Sequence, residues 1–203
     1  MTIERRFMTS ELRAAQESRE IVGYFATFNS MSLDLGGFRE IIRPGAFTRS
    51  LKEQPDVKCF WQHDTSLVLG RTTPGTLELE EDERGLRFKL TPPNSPLGQN
   101  ALESVRRGDV TSCSFGFNCV NDRVTKQEDG TVLRELFDVD LFEGSLVTYP
   151  AFPASSAEVR SDVLARITEL NREQSVEPEY DPAADPDLRL RMLRLREIEA
   201  ERG

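Results

Sequence analysis

The chain is poor in the residues that most often carry metal or redox chemistry. It has one histidine, three cysteines and one tryptophan in 203 residues, and no apolar run approaches the ~20 residues needed to cross a bilayer. A lone imidazole and three thiols without a CxxC pair do not make a zinc site. Cys59, Cys113 and Cys119 lie in or beside apolar runs, an odd, sparse set that suits a reducing compartment better than a disulfide framework. Positive charge is also short. The net charge is -9 with 30% charged residues, so no basic face is expected that could displace counterions from phosphate, and nucleic acid is not an expected partner. The opening MTIERRFMTSELR has charge but no apolar stretch of the secretory kind. The expectation is a soluble intracellular protein with no membrane partner.

From Glu4 to Thr148 there are many short alternating runs broken by turn residues. EIVGYFATFN, FREII and DVKCFW read as strands, the last with Val57, Cys59 and Trp61 on one face. TLELEEDERGLRFKL reads as a hairpin that turns between Asp82 and Gly85. A short helix is expected over residues 46–53. A longer one is expected from Ser95-Pro96, where serine can cap and proline suits the first helical position, to Gly108. TSCSFGFNCV, a turn through Lys126 to Gly130, and the strands VLRELFDV and LFEGSLVTY follow. Many strands and few helices point to a β-barrel or a compact sandwich. Beyond Pro153, Ser155 and Glu158 stand at capping-box spacing before a stripe of Val163, Leu164, Ile167 and Leu170. Three segments result: a domain over residues 1–171, an acidic proline-rich linker over 172–187, and an Arg/Leu-rich helix over 188–203.

The only histidine stands in CFWQHDTSLVLGR, straight after an apolar run. Taken alone, a histidine at a strand end is most often a satisfied polar group. In TSCSFGF, strand alternation sends Cys113, Phe115, Phe117 and Cys119 to one face and Ser112, Ser114 and Gly116 to the other, a small polar face. Glu143 stands among apolar residues in LFEGSLVTY, where a carboxylate must be paired or exposed. Histidine, serine and an acid are together what nucleophilic acyl transfer needs. The hydroxyl needs a base, the imidazole titrates near neutrality, and an acid fixes its tautomer. Residue types and spacing do not by themselves select which serine and which acid.

The order WQHD with a nearby LGR, then SCSFGF, then LFEGSLVTYPAFPAS resembles the prohead (capsid maturation) serine proteases of tailed bacteriophages, distant relatives in fold of the herpesvirus maturational protease. The likeness runs from Gly23 to Ala157 and includes the upstream GYFATFNSMS and PGAF segments. It implies a mainly β fold with helices (α+β), a closed β-barrel surrounded by helices. It also implies His63 as base, Ser114 as nucleophile and Glu143 as acid. The herpesvirus enzymes use a second histidine as third member. This chain has none, so an acid or nothing takes that place, and Asp64, Asp138 and Asp140 compete with Glu143. Cys113 is a lesser alternative nucleophile, turned to the opposite face by alternation. Backbone amides beside Ser114 or in the turn over residues 150–154 are where an oxyanion hole would be sought.

The function implied is that of a serine endopeptidase needing no metal or organic cofactor. It would process the major capsid protein with its scaffolding segment, and itself, inside the procapsid assembling in the host cytoplasm. Self-association is left open. The final helix reads equally as one that packs on its own domain or, with its linker, as a docking tail that self-cleavage could remove. The rival reading is a non-catalytic capsid assembly factor or scaffold with a protease-like fold.

Overall fold

The computed structural model describes residues 3–9, 12–15, 18–53, 56–148 and 157–175. Within them the order is β1 (Glu4–Thr9), β2 (Ile21–Thr27), β3 (Arg39–Ile42), α1 (Thr48–Glu53), β4 (Lys58–Trp61), β5 (Asp64–Arg71), β6 (Leu77–Glu81), β7 (Gly85–Leu90), α2 (Pro96–Arg107), β8 (Ser112–Lys126), β9 (Val132–Val147) and α3 (Ala157–Ser175). β2, β3, β4, the β6–β7 hairpin and the first two helices fall where alternation, turn residues and punctuation put them. The hairpin turns on Asp82, whose carboxylate accepts from the amides of Arg84 and Gly85 at 2.8 and 3.0 Å. Ser95 precedes α2 in extended conformation but makes no side-chain cap, so the start rests on Pro96. The helix stops at Gly108, whose left-handed φ of 78° suits glycine.

β9 organises the larger sheet. The two strands expected over VLRELFDV and LFEGSLVTY are one strand of 16 residues, because bulges against β8 absorb the breaks in alternation. One edge of β9 pairs antiparallel with β8. Its other edge is shared by two short parallel strands, β3 opposite Leu133–Leu136 and β4 opposite Glu143–Leu146. β1 extends the sheet beyond β8 and β5 extends it beyond β4, giving six strands in the order β1-β8-β9-β4-β5 with β3 also on β9. β2, β7 and β6 form a separate antiparallel sheet. Neither β1 nor β5 was singled out by the sequence. β1 carries charge on both faces, and β5 opens with exposed residues that mask its alternation.

The closed barrel surrounded by helices is therefore a point on which the expectation fails. The mainly β, α+β character holds, but the strands form two sheets. Closure needs the end strands to hydrogen-bond with a consistent stagger. Among the described residues β1 and β5 end the larger sheet unpaired with each other, and β2-β7-β6 stays apart. The reasons are local. An edge of β9 divided between two strands of four residues each offers no continuous partner for propagating a ring. The second sheet instead packs its apolar side onto the first. Phe25 of β2 presses on Gly144 of β9, where a Cβ would collide with the ring, and stacks on Phe88 with centroids 4.2 Å apart. Phe47, Phe115, Phe117, Cys59, Cys113 and Leu146 fill the same core.

In α3, Val163 is buried, Ile167 half-buried and Leu164 exposed, so the expected stripe turns inward only in part. The Ser155–Glu158 capping pair and Leu170 lie outside the described side chains. α3 continues to Ser175; the rest of the linker over 172–187 and the helix over 188–203 lie outside the described residues.

A buried charge network ties β1 to the body. Arg6 donates to Glu40 and to Glu4, each at 2.6 Å, and Arg134 of β9 donates to Glu4 at 2.7 Å and to Asp122 of β8 at 2.6 Å. Arg6, Glu4, Glu40 and Arg134 are all nearly inaccessible to water. Each charge is tolerable only because the others are present. Arg134→Ala removes one of the two cations that each of Glu4, Glu40 and Asp122 holds and is expected to cost about 3–5 kcal/mol of stability, read as a lower urea midpoint with an unchanged m-value.

Candidate active site

Strand register gathers a set of small and polar residues on one face of the larger sheet. A Cβ built on Gly116 would lie 2.7 Å from Cγ of Glu143, so Gly116 in β8 and Glu143 in β9 share a face. Ser114 precedes Gly116 by two residues with no bulge between them, and it pairs directly with Ser145, two residues after Glu143. Period-two alternation therefore puts both hydroxyls on that face. On the far side of β8, Arg5 of β1 pairs with Gly116 and Phe7 pairs with Ser114. Cys113, Phe115 and Leu146 take the opposite face and enter the core. This is the division that alternation predicts for TSCSFGF. The polar face is not wet, however: Ser114 and Ser145 are both 0% exposed.

His63 reaches this face from the β4–β5 turn. Trp61 pairs with Asp64, leaving Gln62 and His63 as a two-residue loop, both with positive φ, 56° and 61°. Tight hairpins demand this conformation and usually fill it with Asn-Gly, because a side chain there costs about 1–2 kcal/mol per residue. Contacts to the end of β9 hold the strained pair in place. Gln62 N donates to Leu146 O at 3.0 Å. Its side-chain amide donates to Thr148 Oγ1 at 2.5 Å and accepts from Thr148 N at 3.2 Å. The imidazole so presented lies 3.2 Å through Nδ1 from Glu143 Oε1, and its ring meets Phe7 edge-on with centroids 5.5 Å apart. β8 lies between β9 and β1 in the sheet. The ring therefore touches residues of the two strands that flank β8, the strand that carries Ser114.

A carboxylate can only accept, so the Nδ1 facing it carries a proton, and in the neutral ring that leaves the lone pair on Nε2. That Nε2 is buried without a hydrogen-bond partner, and so are the hydroxyls of Ser114 and Ser145. Glu143 is 7% exposed. Burial works against its ionisation, but the hydrogen bonds from His63 and Arg5 outweigh that and hold its carboxyl below the usual carboxylate range. Arg5 Nε donates to the same Oε1 at 2.8 Å. The competing acids are engaged elsewhere. Asp64 accepts from the amide and hydroxyl of Ser66, and Asp138 and Asp140 hold Arg49. Burial pushes the Cys59 thiol well up, with Cys113 and Glu143 adding to the effect. Among the described residues no group of three His, Cys, Asp or Glu side chains is placed to hold a metal ion, and no helix is long and apolar enough to span a membrane. The turn over residues 150–154 lies outside the described residues.

Sequence reasoning missed Arg5, Gln62 and Ser145. The alternation of Arg5 and Phe7 against Glu4 and Arg6 was the available signal for the first. Nothing local marks the other two, whose roles come from partners more than 80 positions or a full strand away. Gly116 has a sharp consequence. Gly116→Ala puts a methyl within 3.1 Å of Glu143 Oε1. The carboxylate must then swing off His63, and the low-field Nδ1 proton resonance of the sole imidazole is expected to disappear while the fold, read by far-UV circular dichroism, persists.

No curated protein and no solved structure matches the chain. One family model does match, over residues 6–169, and its description is caudovirus prohead serine protease. The matched span includes β8, β9 and the β4–β5 turn, and so every residue that meets on this face except Arg5. It covers well over half of the chain, and the chain belongs to the caudovirus prohead serine protease family.

Proposed function

We propose that this chain is a capsid-maturation endopeptidase in which Ser114 is the nucleophile, His63 the general base and then acid, and Glu143 the group that orients His63. The observation that supports this reading is the imidazole held by Glu143 at 3.2 Å and edge-on to Phe7, the strand partner of Ser114. Nε2 and the Ser114 hydroxyl are both buried without partners. An unmet acceptor and an unmet donor on one face are a costly pair to leave apart. A side-chain rotation that brings them together upon substrate entry satisfies both.

Chemistry then follows from the roles. His63 Nε2 takes the Ser114 proton as Oγ attacks the scissile carbonyl, and Glu143 stabilises the imidazolium that forms. The imidazolium returns the proton to the leaving amine, giving an acyl-enzyme. Water, deprotonated by the same nitrogen, then releases the acid. By family the substrate is capsid protein inside the assembling procapsid; the reading extends to its scaffolding segment and to the chain itself.

Co-expression with the capsid protein of the same genome, followed by intact-mass spectrometry, tests this. Wild type is expected to shorten the capsid protein. Ser114→Ala and His63→Ala are expected to lower the cleavage rate by about 10⁴-fold or more, with folding retained. Ser145→Ala is expected to keep activity within about tenfold, since an attacking hydroxyl must belong to one serine. Undiminished trimming by Ser114→Ala would overturn the assignment. A wild type that assembles capsids without cutting any chain would leave the assembly-factor reading.

A further inference from the structure

We infer that Arg5 is a positioning residue of the Glu143–His63 pair, which makes the amino-terminal strand part of the active site as well as the edge of a sheet. The inference rests on the triad reading above and deepens it. Arg5 Nε and His63 Nδ1 meet the same oxygen, Oε1, at 2.8 and 3.2 Å. Two donors on one oxygen hold the carboxylate more tightly than either alone. They also bring a permanent guanidinium within about 6 Å of the imidazole.

The placement of Arg5 is not accidental to the strand. Pairing with Gly116 points its side chain to the site face, while its neighbours Glu4 and Arg6 are locked into the buried charge network on the other face. That network holds β1 in register, so Arg5 is delivered to Glu143 by backbone rather than by its own flexibility. Two residues on, Phe7 brings its ring against the edge of the imidazole. One strand thus touches both partners of the pair.

The electrostatic consequence has a sign. A guanidinium sharing the carboxylate oxygen offsets part of the attraction of Glu143 for a proton on the ring, so removing it should make the imidazole easier to protonate. Other charges near the ring are compensated or turned away. Lys58 of β4, paired in register with Glu143, is bound to Asp56 at 3.1 Å. Asp64 of β5 accepts from Ser66. From β8 the neighbouring groups on this face are Ser114 and Gly116, which carry no charge. Among the described residues Arg5 is therefore the cation that acts on the pair. Its side chain is 45% exposed, so water screens part of the effect.

The single histidine makes the test direct, because its ring Hε1 resonance is assignable without mutagenesis. NMR titration of the full chain is compared for wild type, Arg5→Met, Arg5→Lys and Arg107→Met, the last an exposed arginine changing net charge equally. Arg5→Met is expected to raise the imidazole midpoint by about half to one pH unit. Arg5→Lys and Arg107→Met should stay within a few tenths of wild type. In parallel, labelling of Ser114 by a fluorophosphonate probe, in which Oγ displaces fluoride as His63 takes the proton, should show its acid limb moved up by the same amount in Arg5→Met. An imidazole midpoint in Arg5→Met equal to wild type overturns the inference, as does an equal shift in Arg107→Met. Wild type that is not labelled at Ser114 overturns the triad reading instead, and the NMR comparison still decides the role of Arg5.

Discussion

An ionised carboxylate in the middle of a β-sheet must find in the protein the solvation it loses from water. Glu143 stands in that position, and much of the molecule is arranged around it. Its neighbour across the strand pair has to be glycine, because any Cβ there would strike it. Its oxygen takes one hydrogen bond from an arginine two strands away and one from an imidazole on a strained turn. Ionisation survives burial because both bonds are made. The site is less a cleft furnished with reactive residues than a buried charge and the groups that make it tolerable.

Those groups come from far apart in the chain, and β9 is the element that brings them together. Its long run allows β8 to pair along one edge while β3 and β4 take separate halves of the other. The half that holds β3 belongs to the buried ion network of Glu4, Arg6, Glu40 and Arg134; the half that holds β4 belongs to Glu143 and His63. β1 reads both. One face of that strand is locked into the ion network and the other supplies Arg5 and Phe7 to the site. Stability of the edge strand and geometry of the reactive face are therefore coupled through a six-residue segment.

Three of the described non-glycine residues take positive φ, and two of them form the turn that presents the imidazole. Gln62 and His63 both occupy the left-handed region, and neither is glycine. The turn persists because Gln62 is tied at both its backbone and its side chain to the last residues of β9. An imidazole held this way has little freedom to leave the carboxylate, which suits the proton shuttle proposed for it. The family to which the chain belongs performs serine proteolysis during prohead maturation, and the arrangement is of the kind that such chemistry needs.

Much of this was readable before any fold was known. Alternation placed most strands, and punctuation by proline and glycine placed the first two helices. These are properties of neighbouring residues, and period and turn chemistry act at that range. His63, Ser114 and Glu143 were singled out by the resemblance of their segments, in order, to a protease family, and not by spacing. Tertiary structure decided the rest. It put two sheets where a barrel was expected, because packing of Phe25 on Gly144 and the sharing of β9 by two short strands are contacts between distant segments. It set Glu143, rather than Asp64, Asp138 or Asp140, against the imidazole, because register determines which carboxylate faces the ring. It brought Arg5 to that carboxylate across 138 positions of chain, a distance at which no local pattern carries information.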